Sequence, residues 1–196
     1  GFKIAMRDLE IRGAGSVLGE VQHGHLAQVG YDMYCKILEE VIKEMQGIEV
    51  EEEIDVQIDL NISSYIPDEF IESSSQKIEI YQNIALCKNE EDIQNVIDDI
   101  IDRYGKMPEE IENLLEITRI KNLCRKAQVT KLAQKGEKIV IYINEKKFNQ
   151  EATTKLIEKY KNRIQFSPGK NSYITYHVQK IANLIPEIKE VIETMI

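Results

Sequence analysis

The sequence has few residues of the kinds that form metal centres and covalent cross-links, and it has no long apolar run. It contains three cysteines and three histidines in 196 residues. The cysteines, Cys35, Cys87 and Cys124, are odd in number, lack metal-ligand spacing and each fall in a predicted helix. We therefore predict small buried side chains in a reduced, cytoplasmic protein. No apolar stretch approaches the ~20 residues of a membrane-spanning helix, so we expect no membrane partner.

Motifs of nucleotide binding and catalysis are also missing. Gly13, Gly15 and Gly19 are spaced somewhat like a nucleotide-binding loop, but no apolar strand precedes them and no Lys-Ser or Lys-Thr pair follows. His23 and His25, two residues apart in a glycine-rich stretch, are too weak a pattern to predict a metal site. No serine or cysteine has a credible base nearby in the sequence. We predict no catalytic residue, no metal and no cofactor in this chain.

The net charge of −9 is distributed unevenly along the chain. Residues 1–48 have a net charge of −2, residues 49–127 have 8 basic and 20 acidic side chains, and residues 128–196 have 12 basic and 7 acidic side chains. An acidic segment repels the phosphates of nucleic acid, so we expect residues 49–127 not to bind DNA directly. The lysines of the last segment are scattered through predicted helices and turns, which is typical of a solvated surface.

The start of the chain is predicted to be a helical hairpin shaped by glycine. Six of the ten glycines lie at or before Gly30, where they suit a loop whose backbone takes positive φ or approaches another surface closely. Residues 2–11 fit a short helix before this loop, and a long amphipathic helix is predicted from Tyr31 to a stop at Gly47. We expect part of its apolar stripe to be exposed. The stripe consists of Tyr34, Ile37, Leu38, Val41, Ile42 and Met45.

An acidic junction at residues 51–53 follows the hairpin, and we place the domain boundary near residue 48. Apolar side chains at every second position of residues 54–62 predict a strand with one buried face. Helices are predicted to dominate from there to Ala127. Their ends are marked by a capping box at Ser73 and Gln76, an N-cap at Asn89, a glycine stop at Gly105 and a first-turn proline at Pro108.

The last third returns to short strands. Residues 131–133 and 139–143 flank a Lys-Gly-Glu turn and predict a β-hairpin. A helix over residues 152–160 and strands over 163–166 and 173–177 follow.

The chain ends in apolar positions with helical spacing. Pro186 lies among them, and because proline costs ~3 kcal/mol in a helix interior, we predict a break or kink at Ile185. Together these patterns predict an α+β fold, in which a helical hairpin with a long amphipathic helix precedes a compact domain of helices packed on a small mixed sheet.

The glycine-rich stretch resembles a known motif. The sequences Asp-Leu-Glu-Ile-Arg-Gly-Ala-Gly at 8–15, Leu-Gly-Glu at 18–20 and Gln-His-Gly at 22–24 resemble the "translocation in RecG" motif. That motif follows the second motor domain of the RecG helicase and of the bacterial transcription-repair coupling factors.

The rest of the chain is similar to the C-terminal domain that the coupling factors have and RecG lacks. The similar sequences are Ile-Pro-Asp-Glu-Phe-Ile at 66–71, Arg-Tyr-Gly at 103–105 and Leu-Leu at 114–115. The chain also begins directly in a helical pattern, as a piece of a longer protein would. We therefore interpret it as the C-terminal part of a coupling factor, with a coupling hairpin over residues 1–48 and a regulatory domain over residues 49–196.

The resemblance implies a role for the hairpin. Arg12 and Gln22 are expected to couple ATP hydrolysis to movement along duplex DNA, in a loop that changes shape between two states. Without the resemblance, an ordinary ion pair of Arg12 with Asp8 or Glu10 would be the expectation. The glycines assigned to this coupling site are Gly13, Gly15, Gly19 and Gly24.

The resemblance also implies a function for the whole protein. It is expected to be an ATP-dependent, duplex-DNA translocase of helicase superfamily 2 that uses ATP and magnesium, displaces stalled RNA polymerase and recruits excision repair through UvrA. This chain would carry none of the ATPase chemistry. Its C-terminal domain would dock on an N-terminal UvrB-like module and restrain the motor domains, which is autoinhibition. The alternatives are a stand-alone protein-interaction module, a fragment of a RecG-type fork-remodelling helicase, and a generic acidic enzyme, which the absence of a convergent site disfavours.

Overall fold

The described part of the protein forms two compact units. The structure is a computed structural model that describes residues 34–47 and 54–196. The first unit contains residues 34–47 and Ile62–Arg119, and the second contains residues 54–61 and Ile120–Ile196. The sequence did not predict this division. The boundary proposed near residue 48 and residues 1–33 of the predicted hairpin lie outside the described residues.

The first unit is helical. Residues 34–45 form α1, and the turn after it reaches Gly47, whose φ is +70°. Ser74–Ala85 form α2, and Glu90–Tyr104 form α3. Glu109–Ala127 form α4, which runs from the first unit into the second.

The ends of these helices follow the local chemistry predicted from the sequence. The Asn89 side chain accepts a hydrogen bond from the Asp92 N–H at 2.8 Å, and the Ser73 hydroxyl accepts one from the Gln76 N–H at 3.4 Å. Gly105 ends α3 with φ +92° and ψ −153°, a backbone conformation that is open essentially only to glycine. The predicted N-caps and the glycine stop are confirmed.

Isoleucine dominates the core of the first unit. On α2 the fully buried side chains are Ile80 and Ile84, whereas Tyr81 lies partly outside the core and its hydroxyl accepts the Ile66 N–H at 2.9 Å. Ile78, Tyr81 and Ala85 are partly buried and pack against buried residues of the first unit. The core consists of Ile66, Ile71, Ile80, Ile84, Cys87, Ile93, Val96, Ile100, Ile111, Leu114 and Leu115.

The second unit is built on a five-stranded mixed sheet. Its strands are β1 (Gln57–Asp59), β2 (Val129–Lys135), β3 (Lys138–Ile143), β4 (Ile164–Ser167) and β5 (Tyr173–His177). The order across the sheet is β1-β2-β3-β5-β4, with β1 parallel to β2 and every other pair antiparallel. Helices and a small mixed sheet in one chain confirm the predicted α+β class.

The first two antiparallel strands form the predicted hairpin. Lys135 pairs with Lys138 across a two-residue loop, and Gly136 in that loop has φ +62°. The strand predicted over residues 54–62 is shorter in the structure, since only Gln57–Asp59 pair with β2. Its alternation still holds, because Val56, Ile58 and Leu60 are buried.

Two helices complete the second unit. Glu151–Tyr160 form α5, and Leu184–Met195 form α6 directly after a short 3-10 turn. The predicted break at Ile185 is wrong. The helix begins at Leu184, so Pro186 lies in its first turn, where the missing N–H has no partner to lose.

A polar network that the sequence did not predict ties β5 to the start of α6. The Tyr176 hydroxyl donates to the Glu187 Oε1 at 2.6 Å, and the backbone N–H groups of Gln179 and Lys180 donate to the same carboxylate at 2.8 and 3.0 Å. Burial disfavours the charged carboxylate, but these three donors outweigh it, so the pKa of Glu187 is lowered. Arg163 lies 5.8 Å from the centre of the Tyr176 ring.

Candidate docking surfaces

The outer face of α3 is strongly acidic. Residues Ile62–Arg119 carry 14 acidic and 5 basic side chains, a net charge of −9. On α3, the buried Ile93, Val96 and Ile100 face the core at helical spacing, so the opposite face of the helix is turned toward solvent. The acidic surface is defined here by three exposed α3 side chains, Glu91, Asp98 and Asp102.

Arginine bridges neutralise the margins of this surface. Arg103 donates to Glu79 of α2 at 3.1 Å and to Asp99 of α3 at 3.2 Å, and these hydrogen bonds raise the pKa of Arg103. Arg119 of α4 donates to Glu90 of α3 at 2.7 Å and also binds Glu116.

These bridges do not reach the three carboxylates that define the acidic surface. Within the described ranges, no basic side chain pairs with Glu91, Asp98 or Asp102, and Asp98 accepts instead from the neutral Gln94 at 2.9 Å. A face of this kind suits a basic partner surface and disfavours the nucleic-acid backbone.

An apolar strip on α1 is also exposed. Ile37, Val41 and Met45 are 57%, 44% and 83% exposed, respectively. The opposite side of the helix packs into the first unit through Tyr34, whose hydroxyl accepts from Gln82 Nε2 at 2.7 Å, and through the buried Cys35. The prediction that part of the α1 stripe is exposed is confirmed.

A comparison with protein families matches the central part of the chain. A model of the TRCF domain matches residues 60–154. Residues 60–154 belong to the TRCF domain family. The match includes α2, α3 and α4, and therefore the whole acidic surface, together with β2 and β3. The resemblance to a transcription-repair coupling factor that the sequence predicted is confirmed.

The curated relatives of this chain are described as transcription-repair-coupling factors. It is 43% identical over 152 residues to the transcription-repair-coupling factor of Staphylococcus haemolyticus (strain JCSC1435), a match that covers 76% of this chain. It is 43% identical over 148 residues to the transcription-repair-coupling factor of Staphylococcus aureus (strain USA300), covering 74% of this chain. In both cases the chain spans 13% of the length of the relative.

A solved structure supports the fold of this chain. A crystal structure of the C-terminal domain of transcription-repair coupling factor superposes with a TM-score of 0.63 at 24% identity. The superposition covers 72% of this chain and 91% of the other. At this identity the likeness establishes the fold.

The coupling residues predicted from the sequence lie outside the described residues. These are Arg12, Gln22, Gly13, Gly15, Gly19 and Gly24. Over residues 34–47 and 54–196, no group of three or more His, Cys, Asp or Glu side chains is placed to hold a metal ion. The same ranges contain no helix long and apolar enough to cross a membrane.

The three cysteines are buried in the described part of the chain, as predicted. Burial raises the pKa of Cys87 to about 11 and that of Cys124 to about 12. Both thiols are therefore protonated near neutral pH, which makes them poor nucleophiles.

Proposed function

We propose that this chain is the C-terminal part of an ATP-dependent duplex-DNA translocase that displaces stalled RNA polymerase and couples transcription to nucleotide excision repair. The TRCF match and the relatives of which the chain spans 13% support this proposal over a stand-alone interaction module. In this proposal, residues 1–48 couple ATP hydrolysis to movement along duplex DNA. The domain after them docks on an N-terminal UvrB-like module and holds the motor domains in a restrained state.

The acidic surface is the observation that carries the regulatory part of the proposal. Glu91, Asp98 and Asp102 are exposed on a rigid helix, and no basic side chain of the described residues neutralises them. Such a surface competes with DNA for the basic residues of another module, because both present negative charge. Docking therefore restrains the motor and covers the site that binds UvrA until polymerase is engaged.

Charge removal on α3 tests this regulation in the full-length protein. The triple variant Glu91→Gln, Asp98→Asn, Asp102→Asn should raise basal ATPase activity and DNA affinity, and it should increase UvrA binding. The matched control removes three carboxylates from the second unit, at Glu137, Glu158 and Glu193, and should leave these properties unchanged. Measurements at two salt concentrations separate docking from general charge effects. Equal effects of the two triple variants would contradict the proposed docking surface.

Arg12 and Gln22 test the coupling part of the proposal. In the full-length protein, Arg12→Ala should leave DNA-stimulated ATPase activity in place and reduce displacement of a third DNA strand or of polymerase. Gln22→Ala should behave in the same way if the two side chains act as one switch. Normal translocation by Arg12→Ala would refute this assignment.

ATP and magnesium belong to the motor in this proposal, so the 196-residue chain should neither bind nor hydrolyse ATP. Isothermal titration with ATP and magnesium, and a phosphate-release assay, measure the two properties. Turnover above background that is abolished by Lys3→Ala or Arg12→Ala would place nucleotide chemistry in this chain after all.

A further inference from the structure

A groove opens in the second unit between the start of α5 and the sheet. Its volume is about 560 Å³. The ends of β3, β4 and β5 meet here with the segment 144–150 that leads into α5. The aromatic rings of Phe148, Phe166 and Tyr173 line it. Three separate parts of the unit therefore each contribute an aromatic side chain to the wall of the groove.

A single carboxylate is fixed in this groove. The backbone N–H of Ser172 donates to Glu145 Oε1 at 2.9 Å, and the Ser172 hydroxyl donates to the same oxygen. These hydrogen bonds lower the pKa of Glu145, so the side chain is ionised at neutral pH. Because both bonds use the same oxygen, Glu145 Oε2 keeps its capacity to accept from another group.

The rest of the polar lining is uncharged. Among the described residues that line the groove, none is lysine or arginine, although residues Ile120–Ile196 carry 15 basic and 7 acidic side chains. The neutral polar side chains are Gln150, Thr153, Thr154, Ser167 and Ser172. The charge of the groove is therefore negative although the unit around it is positively charged. Such a groove favours a cation and disfavours an anion.

We propose that this groove binds a lysine or arginine side chain presented by a protein partner. The apolar stem of the basic side chain lies along Phe148 and Phe166, as such stems do on apolar surfaces. Its charged head reaches Glu145, and the aromatic faces add a cation–π attraction. Glu145 repels phosphate, so the charge of the groove favours a basic protein segment over nucleic acid.

This proposal does not rest on the proposed motor function. The acidic surface belongs to the first unit, and the groove belongs to the second. Loss of one binding activity can therefore be measured without loss of the other.

Peptide titration of the 196-residue chain tests the groove. The probe is acetyl-Val-Lys-Val-amide, added to ¹⁵N-labelled protein and followed by heteronuclear NMR. Two matched peptides carry norleucine, which keeps most of the stem without the charge, or glutamate in place of lysine. We expect saturable shifts of the amides of Phe148, Thr153, Phe166 and Ser172 with the lysine peptide, and weaker binding of both matched peptides.

Two variants complete the test. Glu145→Gln keeps an acceptor for Ser172 and removes the charge, so it should weaken the lysine peptide about fivefold, the upper range for an exposed charge pair. Glu158→Gln removes an exposed carboxylate elsewhere on α5 and should leave binding unchanged. Equal affinity for the norleucine peptide, equal effects of the two variants, shifts confined to other residues, or no saturation at millimolar peptide would each overturn the proposal.

Discussion

The two units carry opposite charge on cores of the same kind. Residues Ile62–Arg119 have a net charge of −9, and residues Ile120–Ile196 have a net charge of +8. Fully buried isoleucine and leucine fill both interiors, as at Ile100 in the first unit and Leu156 in the second. The interiors explain why both units fold, whereas the surfaces differ in the partners that they favour.

The units also differ in what joins their elements. In the first unit, arginines such as Arg103 and Arg119 bridge carboxylates of neighbouring helices. In the second, backbone ladders join the strands, and the carboxylate of Glu187 is held by one hydroxyl and two backbone donors. Exposed ion pairs contribute little and weaken with salt, while hydrogen bonds to a fixed carboxylate contribute more. This contrast can be measured.

The largest expected effect comes from the two cores. Ile100→Ala and Leu156→Ala should each lower the free energy of unfolding by about 2–5 kcal/mol, because both side chains are fully buried. Their sequence neighbours are matched controls, since Ile101 is 48% and Ile157 is 50% exposed. Ile101→Ala and Ile157→Ala should cost about 0.5 kcal/mol or less. Urea unfolding measures all four values.

Thiol labelling shows which unit each core change affects. Cys87 is buried in the first unit and Cys124 in the second, so each reacts only when its surroundings open. Peptide mass spectrometry after timed labelling should show faster modification of Cys87 in Ile100→Ala and of Cys124 in Leu156→Ala. If both variants speed up the modification of Cys87 and Cys124 equally, the two units open together and are not separate units of stability.

Two glycines provide a second comparison between the units. Gly105 ends α3 with φ +92° and ψ −153°, and Gly136 turns the hairpin with φ +62°; a Cβ at either position meets nothing within 4 Å. Any loss of stability on substitution by alanine therefore comes from the backbone conformation and not from a steric clash of the new side chain. Gly105→Ala should lower the free energy of unfolding by about 2 kcal/mol and Gly136→Ala by about 1 kcal/mol. The φ and ψ of Gly105 together are open essentially only to glycine, whereas other residues reach the φ of Gly136 at a smaller cost. Thermal unfolding gives both values, and the reverse order would contradict the backbone explanation.

The carboxylate of Glu187 makes a pH-dependent contribution to the second unit. Its pKa is lowered in the folded state, so its contribution is complete above the unfolded pKa of about 4.3 and disappears as the pH falls through the folded pKa. Glu187→Gln should therefore cost about 1 kcal/mol at pH 7 and progressively less below about pH 4. Chemical unfolding across this pH range measures the difference. Glu193→Gln on the same helix is the control, and a difference that stays constant with pH would exclude this linkage.

The smallest expected effect concerns the surface ion pairs. Arg119→Ala in the acidic unit should cost about 1 kcal/mol at low salt, since it leaves Glu90 and Glu116 without their bridge. Lys159 binds Glu190 at 3.0 Å in the basic unit, and Lys159→Ala should cost less because it removes one charge from an excess of like charge. One molar salt should reduce both effects. A larger loss of stability in Lys159→Ala than in Arg119→Ala would show that the net charge of the unit does not determine how much these ion pairs contribute.

Local chemistry made much of the fold predictable. Asn89, Gly105 and Gly136 act through their own side chain or backbone within a few residues, and the sequence placed each correctly. The parallel pairing of β1 with β2 joins Gln57 to Lys131, and no local pattern specifies such a distant partner. The prediction for Pro186 is wrong because the cost of a proline depends on its position in the helix. The sequence pattern did not show that the helix begins at Leu184.

The candidate surfaces were predictable to different degrees. The acidic charge around α3 follows directly from composition, and the exposed strip on α1 follows from its periodicity. The groove could not be predicted, because Glu145, Phe166 and Ser172 come together only when β3, β4 and β5 pair. The coupling assignment of Arg12 and Gln22 stays a prediction.

The lengths of the outermost strands bear on self-association. The sheet ends at β1, with 3 residues, on one side and at β4, with 4 residues, on the other. An unpaired sheet edge can recruit strands from other molecules and seed aggregates, and short edge strands limit this hazard. Within the described residues, the second unit therefore presents little backbone template for fibre growth. Its colloidal stability should survive loss of surface charge better than that of a sheet with long open edges.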